Sequence, residues 1–182
     1  MRQWIDLVEQ AGAPIDLSDE FCTSVHEYLD EHLSDWSDDY ADIDVMRTAL
    51  EPLLNSILHY QDGDKLEIYR KELRPQDQID DLSFGSLGHC WSWDSDGAQV
   101  CHHDNAYDQY GRNNVHEVMF VAEVSMADID WVQTMAKNLV LRNEREISVR
   151  DGAKVHVGEI FLDKGQFKSA NFSIDIDQSG DF

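Results

Sequence analysis

Hydrophobic positions change their period once along this chain. In the first sixty residues they recur at helical spacing. Trp4, Ile5, Leu7 and Val8 form a short stripe closed by Gly12-Ala13-Pro14. Phe21, Val25, Tyr28, Leu29 and Leu33 form a second stripe behind Ser18, an N-cap followed by Asp19 and Glu20, whose carboxylates suit the positive end of a helix. An acidic linker, Ser34 to Asp44, leads to a third stripe of Val45, Met46, Ala49, Leu50, Leu53, Leu54, Ile57 and Leu58, in which Pro52 marks a kink or the first position of a new helix. From Lys65 onward the period moves toward two. Leu66, Ile68 and Arg70 fall on one face of a predicted strand. Val118-Met119-Phe120-Val121-Ala122 has the continuous apolar character of a central strand, and Phe161-Leu162 and Phe172-Ser173-Ile174 suggest edge strands. The pattern predicts an α+β domain over residues 1–182: a helical N-terminal part at 1–63, a β-rich core at 64–176 and a frayed tail at 177–182.

Composition narrows the partners more than the fold. An apolar content of 42% is ordinary for a globular chain, so a net charge of −23 does not by itself argue against folding. With 14 Lys and Arg against 37 Asp and Glu, attraction to nucleic-acid phosphates or to anionic lipid is a poor fit. The acidity suits solubility first, and also high salt or a basic partner. Cys22, Cys90 and Cys101 match neither a disulfide framework nor a zinc site, which predicts reduced thiols in a cytoplasmic setting. No charged leader with an apolar core opens the chain, and no run of about 18 apolar residues occurs, so neither export nor membrane spanning is expected.

The candidate chemistry lies in three segments of the β-rich half. Arg70 closes the strand-like Leu66-Glu67-Ile68-Tyr69. The aromatic-serine segment Leu87-Gly88-His89-Cys90-Trp91-Ser92-Trp93-Asp94 follows. Glu144-Arg145-Glu146 then opens the apolar Ile147-Ser148-Val149, ahead of the polar turn Arg150-Asp151-Gly152 and the strand-like Lys154-Val155-His156-Val157. An Arg, a Ser-bearing strand and a Glu-x-Glu in this order resemble the mono-ADP-ribosyltransferase family, bacterial or phage-like in type, from roughly Asp64 to Leu162.

That resemblance implies two facing, mainly antiparallel sheets with an NAD cleft between them, packed beside the helical N-terminal part. It implies NAD as substrate, with transfer of ADP-ribose to an acceptor, expected to be protein arginine, and release of nicotinamide, as in a cytoplasmic effector or toxin. Glu146 takes the place of the catalytic glutamate, stabilising the positive charge that develops on the nicotinamide ribose. Glu144 takes the acceptor-orienting place; two residues apart in a strand, the pair would lie about 7 Å apart and point one way. Arg70 would hold a dinucleotide phosphate through its planar fork. Ser92 would orient Glu146, and Trp91 or Trp93 would stack on nicotinamide. The loop from Asp104 to Asn114 corresponds to a mobile loop on the nicotinamide side, and Gln133 to Asn143 to the acceptor-recognition turn. Trp91-Ser92-Trp93 departs from the family's Ser-Thr-Ser by offering one hydroxyl, which leaves the register of that strand open.

Each residue also has a plainer reading. A Glu-x-Glu in so acidic a chain is commonly a pair of solvated carboxylates, a strand arginine is commonly paired with a nearby acid, and tryptophans commonly pack in the core. His89, His102, His103 and His116 come without a His-x-x-x-His helix or a Cys-x-x-Cys pair, so no metal is expected. The rival to an enzyme is a noncatalytic acidic binding protein, an inhibitor or DNA mimic, directed at a basic partner.

Overall fold

The computed structural model describes residues 60–82, 84–98, 100–101, 111, 114–140, 145–162 and 166–177, with Glu27, Arg47, Thr48, Glu51, Leu54 and Leu58 from the preceding part. The stripes expected before residue 60 therefore lie largely outside the described residues, as do most of the loop from 102 to 113 and the tail from 178.

Strand β1 spans Lys65–Pro75 and is followed by helix α1, Gln76–Asp81. Strands β2 (Cys90–Ser92), β3 (Val100–Cys101) and β4 (Val115–Ser125) come next. A 3-10 turn at Met126–Asp128 leads to helix α2, Trp131–Val140. Strands β5 (Glu146–Ser148), β6 (Lys154–Leu162) and β7 (Gln166–Asp175) complete the order. All join one sheet in the order β5-β2-β1-β4-β6-β7, with β3 beside β1 and parallel to it. The remaining pairings are antiparallel.

The alternation in β1 sets the two faces. Leu66, Ile68, Arg70 and Glu72 are buried, while Glu67, Tyr69 and Lys71 on the other face are exposed or half-buried. Val118, Phe120 and Val124 of β4 and Val155 and Ile160 of β6 continue the buried face. Each such side chain contributes about 1.5–3 kcal/mol when fully buried. Phe84 meets Phe120 edge to face at 4.9 Å, and Ile79 of α1 and Leu54 join the same cluster. The central strand expected at Val118–Ala122 lies inside β4, between β1 and β6, and the sheet ends in β7, which contains Phe172-Ser173-Ile174. Phe161-Leu162 instead finishes β6, an interior strand.

Other differences matter for the site. The described strands hydrogen-bond into a single sheet rather than two facing ones, because β2 attaches to β1 at Tyr69↔Ser92 and carries β5 on its other edge. The segment expected as a recognition turn is helical through Val140. Asp130 caps this helix, its Oδ1 accepting from the Gln133 amide at 3.1 Å, and Thr134 Oγ1 accepts from the Ser148 amide at 3.0 Å, fastening α2 to β5. Arg47 reaches the same Asp130 at 2.7 Å, a contact between that arginine and the start of α2. No helix among the described residues is long and apolar enough to cross a membrane.

Candidate functional site

Strand register decides which of the candidate residues can act together. Ser92 is the Cα partner of Tyr69 on one side and of Glu146 on the other, and Tyr69 is opposite Val121, which is opposite Glu159. Paired residues of antiparallel strands point to the same face. Glu146, Ser92, Tyr69, Val121 and Glu159 thus form one row across the sheet. Arg70 and Trp91, one residue out of phase, fall on the opposite, core face.

Arg70 is nearly sealed there, with 1% of its side chain exposed. Its Nε donates to Glu72 Oε1 and its Nη1 to the Cys90 carbonyl. The other oxygen of Glu72 accepts from Arg74 Nε at 2.6 Å, so one carboxylate serves two guanidinium groups. Burial of Arg70 follows from its even position in β1, which places it in phase with Leu66 and Ile68. It stands on the strand next to β2, and its Nε and Nη1 are directed to Glu72 and to β2 on the core face.

Glu146 is also buried, at 6% exposure, but under helix α2. Lys137 Nζ donates to its Oε1 and lies 2.9 Å from Cys90 Sγ. Ser148 Oγ lies 3.5 Å from the same carboxylate oxygen, a weak contact at best. Burial, reinforced by the charge of Glu146, pushes the Cys90 thiol up to about 11, with Lys137 only partly offsetting this. Burial works against the charged form of Lys137, yet the sulfur and carboxylate beside it hold the ammonium above the usual lysine range. With Cys90 protonated at neutral pH, Glu146 is the counter-charge that matters. Nothing in the sequence signalled that Lys137 and Cys90 meet beside Glu146, since the two lie 47 positions apart.

Ser92 Oγ donates to the Asp94 carbonyl at 2.9 Å and accepts from the Asp94 amide at 3.2 Å, a local turn that fixes the β2 exit. Trp91 and Trp93 both belong to the core cluster, and Trp91 Nε1 donates to the Gly88 carbonyl at 3.0 Å. Glu144 lies outside the described residues. Arg145 has φ 47°, in the left-handed region, and β5 begins at Glu146. Arg145 pairs with Asp94, and its carbonyl accepts from the Trp93 amide at 3.2 Å, which closes the ends of β2 and β5 together.

The row of Glu146 and Ser92 runs into a groove of about 470 Å³ on the same face, lined in part by Tyr69, Ser95, Val121, Gly158 and Glu159. The register shift at Gly158, where β6 carries an extra residue against β4, bends the strand and opens this concavity. Among the described residues no three His, Cys, Asp or Glu side chains gather into a metal-binding group. No family model, curated protein or solved structure matches the chain.

Proposed function

We propose that the chain is an NAD-dependent mono-ADP-ribosyltransferase, transferring ADP-ribose from NAD to a protein acceptor, with arginine as the modified residue. One observation carries this reading: the Arg, Ser and Glu that occur in that order along the chain lie on neighbouring strands β1, β2 and β5, with Ser92 directly opposite Glu146. In the proposed reaction the bond between nicotinamide and ribose breaks, nicotinamide leaves with the bonding electrons, and the guanidino nitrogen of the acceptor attacks the ribose carbon and loses a proton. Glu146 supplies negative charge to the oxocarbenium-like centre. Lys137 acts as a positioning residue that holds the Glu146 carboxylate in a fixed place. Arg70 has a structural part in this reading, bracing β1 against the Cys90 carbonyl of β2, and Ser92 shapes the turn at Asp94.

The alternative is an acidic binding protein without catalysis. Its support is that Lys137 already occupies the Glu146 carboxylate and that Glu72 occupies Arg70. Incubation with NAD and arginine methyl ester, with nicotinamide and ADP-ribosylated ester measured by mass spectrometry, separates the two. The transferase reading expects both products from the wild type and at least about a hundredfold less of each from Glu146→Gln; no nicotinamide above a protein-free control leaves the binding reading.

A further inference from the structure

The groove beside the Glu146 row has a charge that its own strands do not need. Glu67 and Glu123 are direct Cα partners across β1 and β4, and Glu159 lies one strand further on the same face. Like charges placed directly opposite destabilise a sheet. Lys65 reaches Glu123 at 3.0 Å, but that pair is half exposed and offsets little of the repulsion. The lining among the carboxylates is partly aromatic and apolar, with Tyr69, Met119 and Phe161, and His156 stands opposite Glu123. The Tyr69 hydroxyl donates to Glu67, which holds its ring in the wall.

We infer that this groove receives the arginine side chains of a basic protein segment. A guanidinium is a planar cation on an apolar stem, and it stacks on aromatic rings while bonding carboxylates two at a time. The groove offers both features, and its three carboxylates oppose a pyrophosphate or a nucleic-acid backbone. A cation seated between Glu67, Glu123 and Glu159 relieves repulsion that folding alone leaves in place. The inference rests on the transferase reading only for what happens to the bound arginine; the binding step stands by itself.

The test uses the full chain without NAD and an acetylated Gly-Arg-Gly-Arg-Gly peptide, against the same peptide with citrulline at both arginines, in calorimetric titration. The arginine peptide is expected to bind, with affinity falling as salt rises, and the citrulline peptide to bind at least about tenfold more weakly. A Glu67→Gln/Glu159→Gln double variant should lose about tenfold in arginine-peptide affinity while melting no lower than the wild type, a combination that a merely structural role does not produce. Phe161→Ala, which leaves the charge untouched, should weaken binding several-fold. Equal binding of the two peptides, or unchanged affinity in both variants, overturns the inference. Nicotinamide release from NAD into water, measured separately, tests the transferase reading. A protein that binds the peptide and releases no nicotinamide retains this groove and loses that reading, whereas one that releases nicotinamide and ignores the peptide does the reverse.

Discussion

The two faces of β1 carry the same kinds of side chain to opposite ends. On the core face, Arg70, Glu72 and Arg74 stand at alternate positions, and Glu72 is shared between both guanidinium groups with 8% of its side chain exposed. On the outer face, Lys65 and Glu67 alternate with them, and Lys65 pairs with Glu123 while about half of each side chain remains in solvent. The first set cannot exchange its partners for water and must stay paired; the second exchanges freely and is available to a ligand. Removing residues from the two faces should therefore give different signatures, in stability on one side and in binding or catalysis on the other.

The largest effect is expected from Glu72→Ala, which leaves two guanidinium groups facing each other without their common carboxylate. Breaking a buried ion pair costs about 3–5 kcal/mol. Denaturant unfolding should show a loss of this size; a loss under about 1 kcal/mol would mean that the arginines reach solvent and that the core face is not sealed.

On the opposite face, Glu146→Gln should abolish most transfer, and because Glu146 is itself buried against Lys137 it should also cost some stability. Loss of one preorganised electrostatic group lowers turnover by about 10²–10³. Activity within a factor of about two of the wild type would remove Glu146 from the chemistry. Arg70→Lys is the matching change on the core face. A lysine keeps the charge but not the fork that joins Glu72 to the Cys90 carbonyl. The expected result is a stability loss on the order of 1–3 kcal/mol with NAD affinity in the remaining folded protein little changed. The reverse outcome, weaker NAD binding at full stability, would return Arg70 to the role of phosphate anchor.

This contrast also shows what the sequence could reveal. The period of two from Lys65 onward located β1, and the apolar run at Val118–Ala122 located the core of β4, because strand alternation and burial are local properties. The order Arg70, Ser92, Glu146 located three strands that do become neighbours. The face of each residue was less legible. Arg70 is in phase with Leu66 and Ile68, and that phase already pointed to the core; its charge masked the message. The left-handed Arg145, just ahead of the strand of Glu146, had no signal of the Gly or Asn kind that normally marks such a turn. Lys137 was hidden for another reason: its helix replaces an expected turn, and its contacts with Cys90 and Glu146 exist only once β2, β5 and α2 have assembled.

The Cys90 pocket gives a smaller effect with a defined pH window. Its thiol lies at about 11 in the folded protein, against an ordinary 9.0. As pH rises above 9 the unfolded chain loses this proton first, so the unfolded state binds fewer protons and stability falls through the interval up to about 11. The full contribution lost is on the order of 3 kcal/mol. Tyr69, raised from 10.0 to about 12 by burial first and by Glu67 next, adds a smaller decline at higher pH, because solvent at the open groove wall screens its interactions. Cys90→Ala should remove the earlier part of the decline. Unfolding curves at pH 8 and at pH 10 that shift equally in wild type and variant would show that the thiol is not shielded under α2.

The smallest effect, and the finest test of the two-face comparison, comes from Lys65→Gln. This change removes the exposed partner of Glu123 and leaves Glu67 and Glu123 opposite one another with no neutralising ammonium. An exposed pair is worth about 0.2–1 kcal/mol, far less than the Glu72 cluster on the same strand. The loss should shrink in high salt, since screening weakens both the attraction removed and the repulsion exposed. Arginine-peptide affinity should rise in the same variant, because the ammonium that competes for Glu123 is gone while every carboxylate remains. A variant that loses more than about 2 kcal/mol, insensitive to salt, would show that Lys65 is held in a sealed environment. The outer face of β1 would then be built like the inner one, and the distinction between a structural face and a binding face would fail.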